Sequence, residues 1–206
     1  MKKFFAVTIF ILFGAMAFAQ NANIKRIGPT TFSVGAYARP FMFEKVLGST
    51  LHWDWAACIV MVLNYNGLNV SQEQVMSLVD MTVMGTPQDL IFNVNKTTPH
   101  AWGPPSKIYT STATLDADVL FDELSAGRPL IMAAGSVGTE GRAFVVTAMS
   151  YTIKFDANGQ QTGITPATVT LRDPWPSGLT NRTVNWADFV GLTASLYTIK
   201  VEFKKE

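Results

Sequence analysis

The segment that most constrains this fold is an apolar helix around residue 60, where hydrophobic side chains recur at the spacing of helical turns. The residues with this spacing between Trp55 and Tyr65 are Ala56, Ile59, Val60, Leu63 and Asn64. Asp54 is placed to cap the helix at its N-terminus, and Gly67 can end it. We therefore expect a central, buried helix that starts just after Asp54.

Three shorter helices are expected further along the chain. Ser71 and Gln74 have the spacing of a capping box, which predicts a helix running to about Met81. The other two predicted helices are one that starts after Pro87 and passes through residues 89–92, and one over residues 116–126 that Gly127 ends.

Beyond Arg128 the helical spacing gives way to apolar runs of strand length. The predicted strands cover residues 129–133, 143–147, 150–155, 167–171 and 195–203. Asn158-Gly159 is a strong signal for a hairpin turn. Residues 20–50, rich in Gly, Pro and aromatic side chains, are expected to form an extended arm. Helices followed by an antiparallel meander indicate an α+β fold with two packed lobes.

The N-terminus has the pattern of a secretory signal. Lys2 and Lys3 precede an uninterrupted apolar run over residues 4–13, and Ala17-Phe18-Ala19 supplies small residues before Gln20. We expect residues 1–19 to be a signal peptide and residues 20–206 to be one exported domain, periplasmic or secreted. A retained membrane anchor is the less favoured alternative, because the apolar stretch is short for a span of about 20 residues.

Composition narrows the classes of ligand. Apolar residues make up 48% of the chain and charged residues 15%, so the domain can bury a full core. The formal net charge is only +1 and no basic run occurs, so we expect neither nucleic acid nor a membrane surface as a partner. Cys58 is the only cysteine, and His52 and His100 are the only histidines. This excludes an intramolecular disulfide and a His-rich metal site, and we expect no cofactor.

Three motifs occur in a defined order along the chain. Their sequences are Trp53-Asp54-Trp55-Ala56-Ala57-Cys58, Gly141-Arg142-Ala143-Phe144-Val145-Val146, and Asp173-Pro174-Trp175-Pro176. Together they resemble bacterial papain-like cysteine peptidases. In that family a Trp-Cys-Trp-Ala-Ala helix carries the nucleophile, a Gly-His-Ala-Val-Val strand carries the base, and an Asp-Pro-Trp segment carries the residue that orients the base. The resemblance extends from about Val46 to Tyr197.

This resemblance implies a papain-like two-lobe fold, with an N-terminal helical lobe, a C-terminal antiparallel sheet lobe and a cleft between them. It also implies that the triad positions are Asp54 for the nucleophile, Arg142 for the base and Asp173 for the orienting residue. Gly48 stands at the position expected for the oxyanion-hole glutamine. A cysteine thiolate at a helix N-terminus and a histidine base are both missing from these positions.

The replacements are incompatible with the family's mechanism. A guanidinium stays protonated near neutral pH, so Arg142 cannot act as a base there. Attack by the Asp54 carboxylate on a peptide would give an anhydride. The resemblance therefore implies a catalytically inactive homologue that binds a peptide or protein in its cleft. Trp53, Trp55 and Trp175 are candidate cleft residues, although aromatic side chains at such positions also commonly belong to a core.

Asp54 and Arg142 carry the same signs as the thiolate and imidazolium that they replace. We favour an ion pair between them across the cleft over the simpler interpretations, which are a helix cap for Asp54 and a solvent-facing strand residue for Arg142.

Cys58 leaves one alternative open. As a relocated nucleophile, with His52 or His100 as its base, it would make the chain an active hydrolase. We favour a small, buried apolar residue, because Cys58 lies about one helical turn beyond Asp54.

Overall fold

The computed structural model describes residues 22–47, 53–78, 87–95, 102–135, 141–175 and 180–204, without the side chains of Pro87 and Gln88. These residues form five helices and eight strands. The elements are β1 (Ile24–Arg26), β2 (Thr31–Gly35), α1 (Trp53–Tyr65), α2 (Gln72–Met76), α3 (Pro87–Val94), β3 (Ser106–Ala113), α4 (Ala117–Ser125), β4 (Leu130–Ala134), β5 (Ala143–Phe155), β6 (Gln161–Arg172), β7 (Asn181–Asn185), α5 (Trp186–Leu192) and β8 (Thr193–Phe203).

All eight strands belong to one antiparallel sheet, in the order β1-β2-β5-β4-β8-β3, with β6 paired to β5 and to β7. The predicted α+β fold is confirmed. The expectation that residues 20–50 form only an extended arm is wrong, because β1 and β2 lie within that range and pair with the sheet. The sheet thus takes two strands from the first half of the chain.

The sheet buries both of its faces, as the alternation of side chains along β5 shows. Ala143 and Val145 belong to a core cluster formed with α1, α2 and α3. Phe144 and Val146 point the other way, into a second cluster that includes Leu120 and Leu124 of α4 and Phe189 of α5.

The central helix is buried as predicted. Every residue from Trp55 to Leu63 of α1 is buried, and each large apolar side chain among them contributes about 1.5–3 kcal/mol by leaving water. The helix begins at Trp53, so Asp54 lies in its first turn. The prediction of Asp54 as the N-cap residue is therefore wrong.

Local sequence signals explain the other helix ends. Ser71 and Gln74 form the predicted capping box at the start of α2, which ends at Met76, short of the predicted Met81. The Asp116 side chain caps α4 by accepting hydrogen bonds from two backbone N–H groups. The Asn158-Gly159 turn joins β5 to β6 as predicted, with Gly159 at φ +77°. No helix in the described part of the chain has the length and hydropathy needed to span a bilayer.

Candidate active-site region

The three predicted triad positions come together where three elements begin or end. Asp54 lies in the first turn of α1, Arg142 directly precedes β5, and Asp173 directly follows β6. β5 and β6 are paired antiparallel, with Val145 opposite Arg172, so the start of β5 lies beside the end of β6. The first turn of α1 contacts the same end of β5 through Ala143.

Asp54 is held by backbone donors. Its Oδ2 accepts a hydrogen bond of 2.9 Å from the N–H of Ala143, and its Oδ1 accepts one of 3.0 Å from the N–H of Trp55. Burial raises the pKa of Asp54 above its ordinary value of 3.8, while these two hydrogen bonds and the positive charge of Arg142 act in the opposite direction. The carboxylate at the nucleophile position therefore links the helix to the strand.

Asp173 is the centre of a charged cluster. Its side chain is 1% exposed, and its Oδ1 accepts a hydrogen bond of 2.5 Å from Nη2 of Arg142. Its Oδ2 lies 3.5 Å from Nη1 of Arg182, on the neighbouring strand β7. Both arginine side chains are 45% exposed. One buried carboxylate thus holds two half-exposed guanidinium groups.

Aromatic rings complete the surroundings of Arg142. Its guanidinium carbon lies 5.1 Å from the centroid of the Phe144 ring and 5.5 Å from that of Trp175, within the range of cation–π attraction. The backbone N–H of Trp175 also donates to Asp173 Oδ1, over 3.0 Å. Arg142 is therefore fixed by a carboxylate and by two ring faces.

The expected direct ion pair between Asp54 and Arg142 is wrong. Among the described residues, the ion pairs of Arg142 and of its neighbour Arg182 are made with Asp173. The physical reason is that Asp173 offers a buried carboxylate with charged partners on both oxygens, whereas the Asp54 oxygens already accept from backbone N–H groups. The two side chains still interact electrostatically. Burial raises the pKa of Asp54, and the positive charge of Arg142 opposes that rise.

The three candidate tryptophans have different surroundings. Trp55 is 2% exposed, and its indole N–H donates to the carbonyl of Gly141 over 3.3 Å. Its ring meets Tyr197 edge to face, with the centroids 5.8 Å apart. Trp53 is partly buried against the same core, and Trp175 is 40% exposed. Trp55 is therefore a core residue that contacts Gly141 and Tyr197. Trp175 is the candidate with the largest exposed fraction.

Cys58 is fully buried in the core around α1. Burial raises the pKa of its thiol well above the usual value, and the negative charges of Asp54 and Asp173 raise it further. Its surroundings therefore favour the protonated, unreactive thiol. Its two possible bases, His52 and His100, and the oxyanion position Gly48 lie outside the described residues. The described residues contain no group of three or more His, Cys, Asp or Glu side chains placed to hold a metal ion.

Arg182 and Phe144 were not predicted as site residues. Arg182 comes next to Asp173 because β7 turns back along β6 and pairs Leu171 with Arg182. A Pro- and Gly-containing segment over residues 174–178, followed by the β-prone residues Thr183 and Val184, was the available signal for this return strand. Phe144 lies in β5, two residues after Arg142, and the Arg142 guanidinium lies over its ring.

The fold is that of a papain-like peptidase. A family model described as papain-like cysteine protease AvrRpt2 matches residues 34–190, well over half of the chain. The chain therefore belongs to this family of papain-like cysteine proteases.

Solved structures support the same fold. The peptidase domain of Streptococcus ComA, a bi-functional ABC transporter involved in a quorum sensing pathway, aligns with a TM-score of 0.50 and 16% identity, covering 79% of this chain and 100% of that domain. A putative C39-like peptidase from Bacillus anthracis aligns with a TM-score of 0.52 and 13% identity, covering 80% of this chain and 96% of that one. At these identities the likeness concerns the fold alone. No curated protein matches the chain.

Proposed function

We propose that this chain is a catalytically inactive member of the papain-like cysteine protease family, and that it binds a peptide or protein at the position of the family's active site. The observation that carries this proposal is the ion pair between Arg142 and Asp173. At the base position, a guanidinium held by a buried carboxylate keeps its positive charge and cannot accept a proton from a nucleophile.

The nucleophile position supports the same proposal. Asp54 has no thiol, and both of its oxygens accept hydrogen bonds from backbone N–H groups. Ionised, it is an acceptor that fixes the start of β5. Protonated, it is a poor nucleophile. Neither form performs the acyl transfer that a thiolate–imidazole pair performs in this family.

Cys58 does not supply a substitute. A thiol with no exposed surface can reach a peptide bond only if α1 leaves the core, and its raised pKa disfavours the thiolate. An active hydrolase that depends on Cys58 is therefore the alternative that the experiment has to exclude.

Cleavage of casein by the purified protein under reducing conditions tests inactivity. We expect no fragments beyond those in a matched sample of Cys58→Ala, a variant that removes the only thiol and shortens one buried side chain. Unfolding curves of both proteins check that the variant is folded. Cleavage by the wild type that is absent from folded Cys58→Ala would overturn the proposal.

Export is the second part of the proposal. Its support is the sequence of residues 1–19, in which two lysines, an apolar run and small residues follow one another as in a secretory signal. N-terminal sequencing of the protein recovered outside the cytoplasm of a producing bacterium tests it. We expect the chain to begin at Gln20. Recovery of the uncleaved chain in the cytoplasmic fraction would contradict it.

A further inference from the structure

We propose that Arg142 and Arg182, held side by side by Asp173, form a binding site for a carboxylate group of the peptide ligand. This inference rests on the proposed peptide-binding function and specifies which chemical group is recognised. Both guanidinium groups contact the same buried carboxylate. Their carbons lie 5.1 and 5.9 Å from the centroid of one ring, that of Phe144.

The charges of this cluster do not cancel. Asp173 contributes one negative charge and the two arginines contribute two positive charges. The exposure of the groups is unequal as well, since the carboxylate is 1% exposed and each arginine side chain is 45% exposed. The exposed side chains of this cluster are therefore cationic, and the carboxylate of Asp173 lies beneath them.

Within the residues that the structure describes, most of the hydrogen-bonding capacity of the two arginines is unused. Each guanidinium has five N–H donors. Within the described part of the chain, Arg142 donates one hydrogen bond, to Asp173, and Arg182 contacts the same residue at 3.5 Å. Asp54, the other acid nearby, directs its oxygens to the N–H groups of Ala143 and Trp55. The remaining donors can bind an acceptor on a ligand. A guanidinium binds a carboxylate with two parallel hydrogen bonds.

The arginines are also held in place before a ligand arrives. Asp173 is anchored by its own N–H, which donates to the carbonyl of Thr180, and by the N–H of Trp175. The rings of Phe144 and Trp175 lie on Arg142. Such preorganisation reduces the entropy lost on binding. Trp175, 40% exposed, offers an apolar surface next to the cationic one, which suits a peptide side chain beside a carboxylate.

A peptide presents carboxylates at two places, its C-terminus and its Asp or Glu side chains. The probes are short N-acetylated peptides of random sequence without Asp or Glu, prepared with a free C-terminus and as C-terminal amides. A third pool is amidated and carries one internal Glu. Binding of each pool to the purified wild-type protein and to Arg182→Gln is measured by calorimetry. Arg128→Gln is the matched control, because Arg128 forms its ion pair with Glu123 of α4 and not with Asp173.

We expect at least one carboxylate-bearing pool to bind about ten- to a hundredfold more tightly than the neutral amides, the range for a hydrogen bond between charged groups. Arg182→Gln should remove that difference, and Arg128→Gln should keep it. The pool that shows the difference identifies the C-terminus or the side chain as the source. Arg182→Gln should stay folded, since Asp173 retains Arg142, and thermal unfolding checks this.

The outcomes separate the two proposals. Equal binding of all three pools, unchanged in folded Arg182→Gln, would overturn the carboxylate site and leave peptide binding intact. Binding of no pool would overturn peptide binding as a function, and the carboxylate site with it. Cleavage of the peptides by the wild type would overturn catalytic inactivity, whichever pool binds.

Discussion

The carboxylate of Asp54 accepts a hydrogen bond of 2.9 Å from the backbone N–H of Ala143, which joins the first turn of α1 to the first residue of β5. The predicted nucleophile position, Asp54, lies in that turn, and the predicted base position, Arg142, directly precedes Ala143. Here the helix and the strand meet through a side chain–backbone hydrogen bond, and the charged side chain of Arg142 turns to Asp173.

Asp173→Asn should destabilise the protein by about 2–3 kcal/mol. The substitution leaves Arg142 and Arg182 without the carboxylate that holds them. Removing one partner of a fully buried pair costs about 3–5 kcal/mol, and water around the two half-exposed arginines reduces that loss here. Denaturant unfolding measures it. Glu202→Gln, which removes a carboxylate paired with Lys200 at the surface, should stay close to the wild type. Equal effects of the two substitutions would contradict the buried cluster.

Double-mutant cycles should locate the ion pair. For Arg142→Ala with Asp173→Ala, we expect a coupling energy of about 1–3 kcal/mol, because the two side chains are in direct contact. For Arg142→Ala with Asp54→Ala, the effects should add to within about 0.5 kcal/mol, since Asp54 is bonded to backbone groups. Unfolding free energies of the single and double variants show whether Asp173 or Asp54 is coupled to Arg142. The reverse ranking of the two coupling energies would show that Asp54 is the partner of Arg142.

The raised pKa of Asp54 predicts a pH dependence of stability. Burial raises this pKa above 3.8 in the folded protein. As the pH rises from 3.8, the carboxyl group ionises first in the unfolded chain, so folding loses stability until the folded-state pKa is passed. The free energy of unfolding of the wild type should therefore fall relative to that of Asp54→Asn over this interval. Above the folded-state pKa the difference between the two proteins should stay constant. Unfolding free energies of both proteins across the interval provide the measurement. If the difference in unfolding free energy between the two proteins stays constant over this interval, or if the wild type gains stability relative to Asp54→Asn, a raised pKa is ruled out.

Cys58 should react with a thiol reagent only when the protein unfolds. Its thiol is fully buried and its pKa is raised, so the thiolate is scarce and inaccessible in the native state. Labelling by iodoacetamide, followed by mass spectrometry, reports on this residue alone because the chain has one cysteine. The rate should increase steeply across the denaturant-induced unfolding transition. Rapid labelling of the native protein below neutral pH would indicate an activated thiol and favour the hydrolase alternative.

The elements with strong local signals were predictable from the sequence. The spacing of apolar residues indicated α1, and the Ser71–Gln74 capping box and the Asn158-Gly159 turn were found where predicted. Strands β1, β2, β3 and β7 were missed, because strand formation depends on pairing with distant partners more than on local preference. β3, for example, pairs along its whole length with β8, about 90 residues later in the sequence.

The candidate site was predictable in its positions and only partly in its contacts. The resemblance to papain-like peptidases implied that Asp54, Arg142 and Asp173 lie together, and the structure brings them to one end of the sheet. Which acid pairs with Arg142 depends on burial and on competing backbone donors, and neither is visible in a sequence. The second guanidinium, that of Arg182, reaches Asp173 only through the pairing of β7 with β6.

The most direct test of the central claim, binding without cleavage, is to follow peptides bound to the protein. The purified protein is incubated with a defined peptide library under reducing conditions, and mass spectrometry quantifies both the retained peptides and any fragments. We predict that peptides are retained intact and that fragments do not exceed the level in a Cys58→Ala sample. Fragments that accumulate in molar excess over the protein, and that disappear with Cys58→Ala, would contradict the claim.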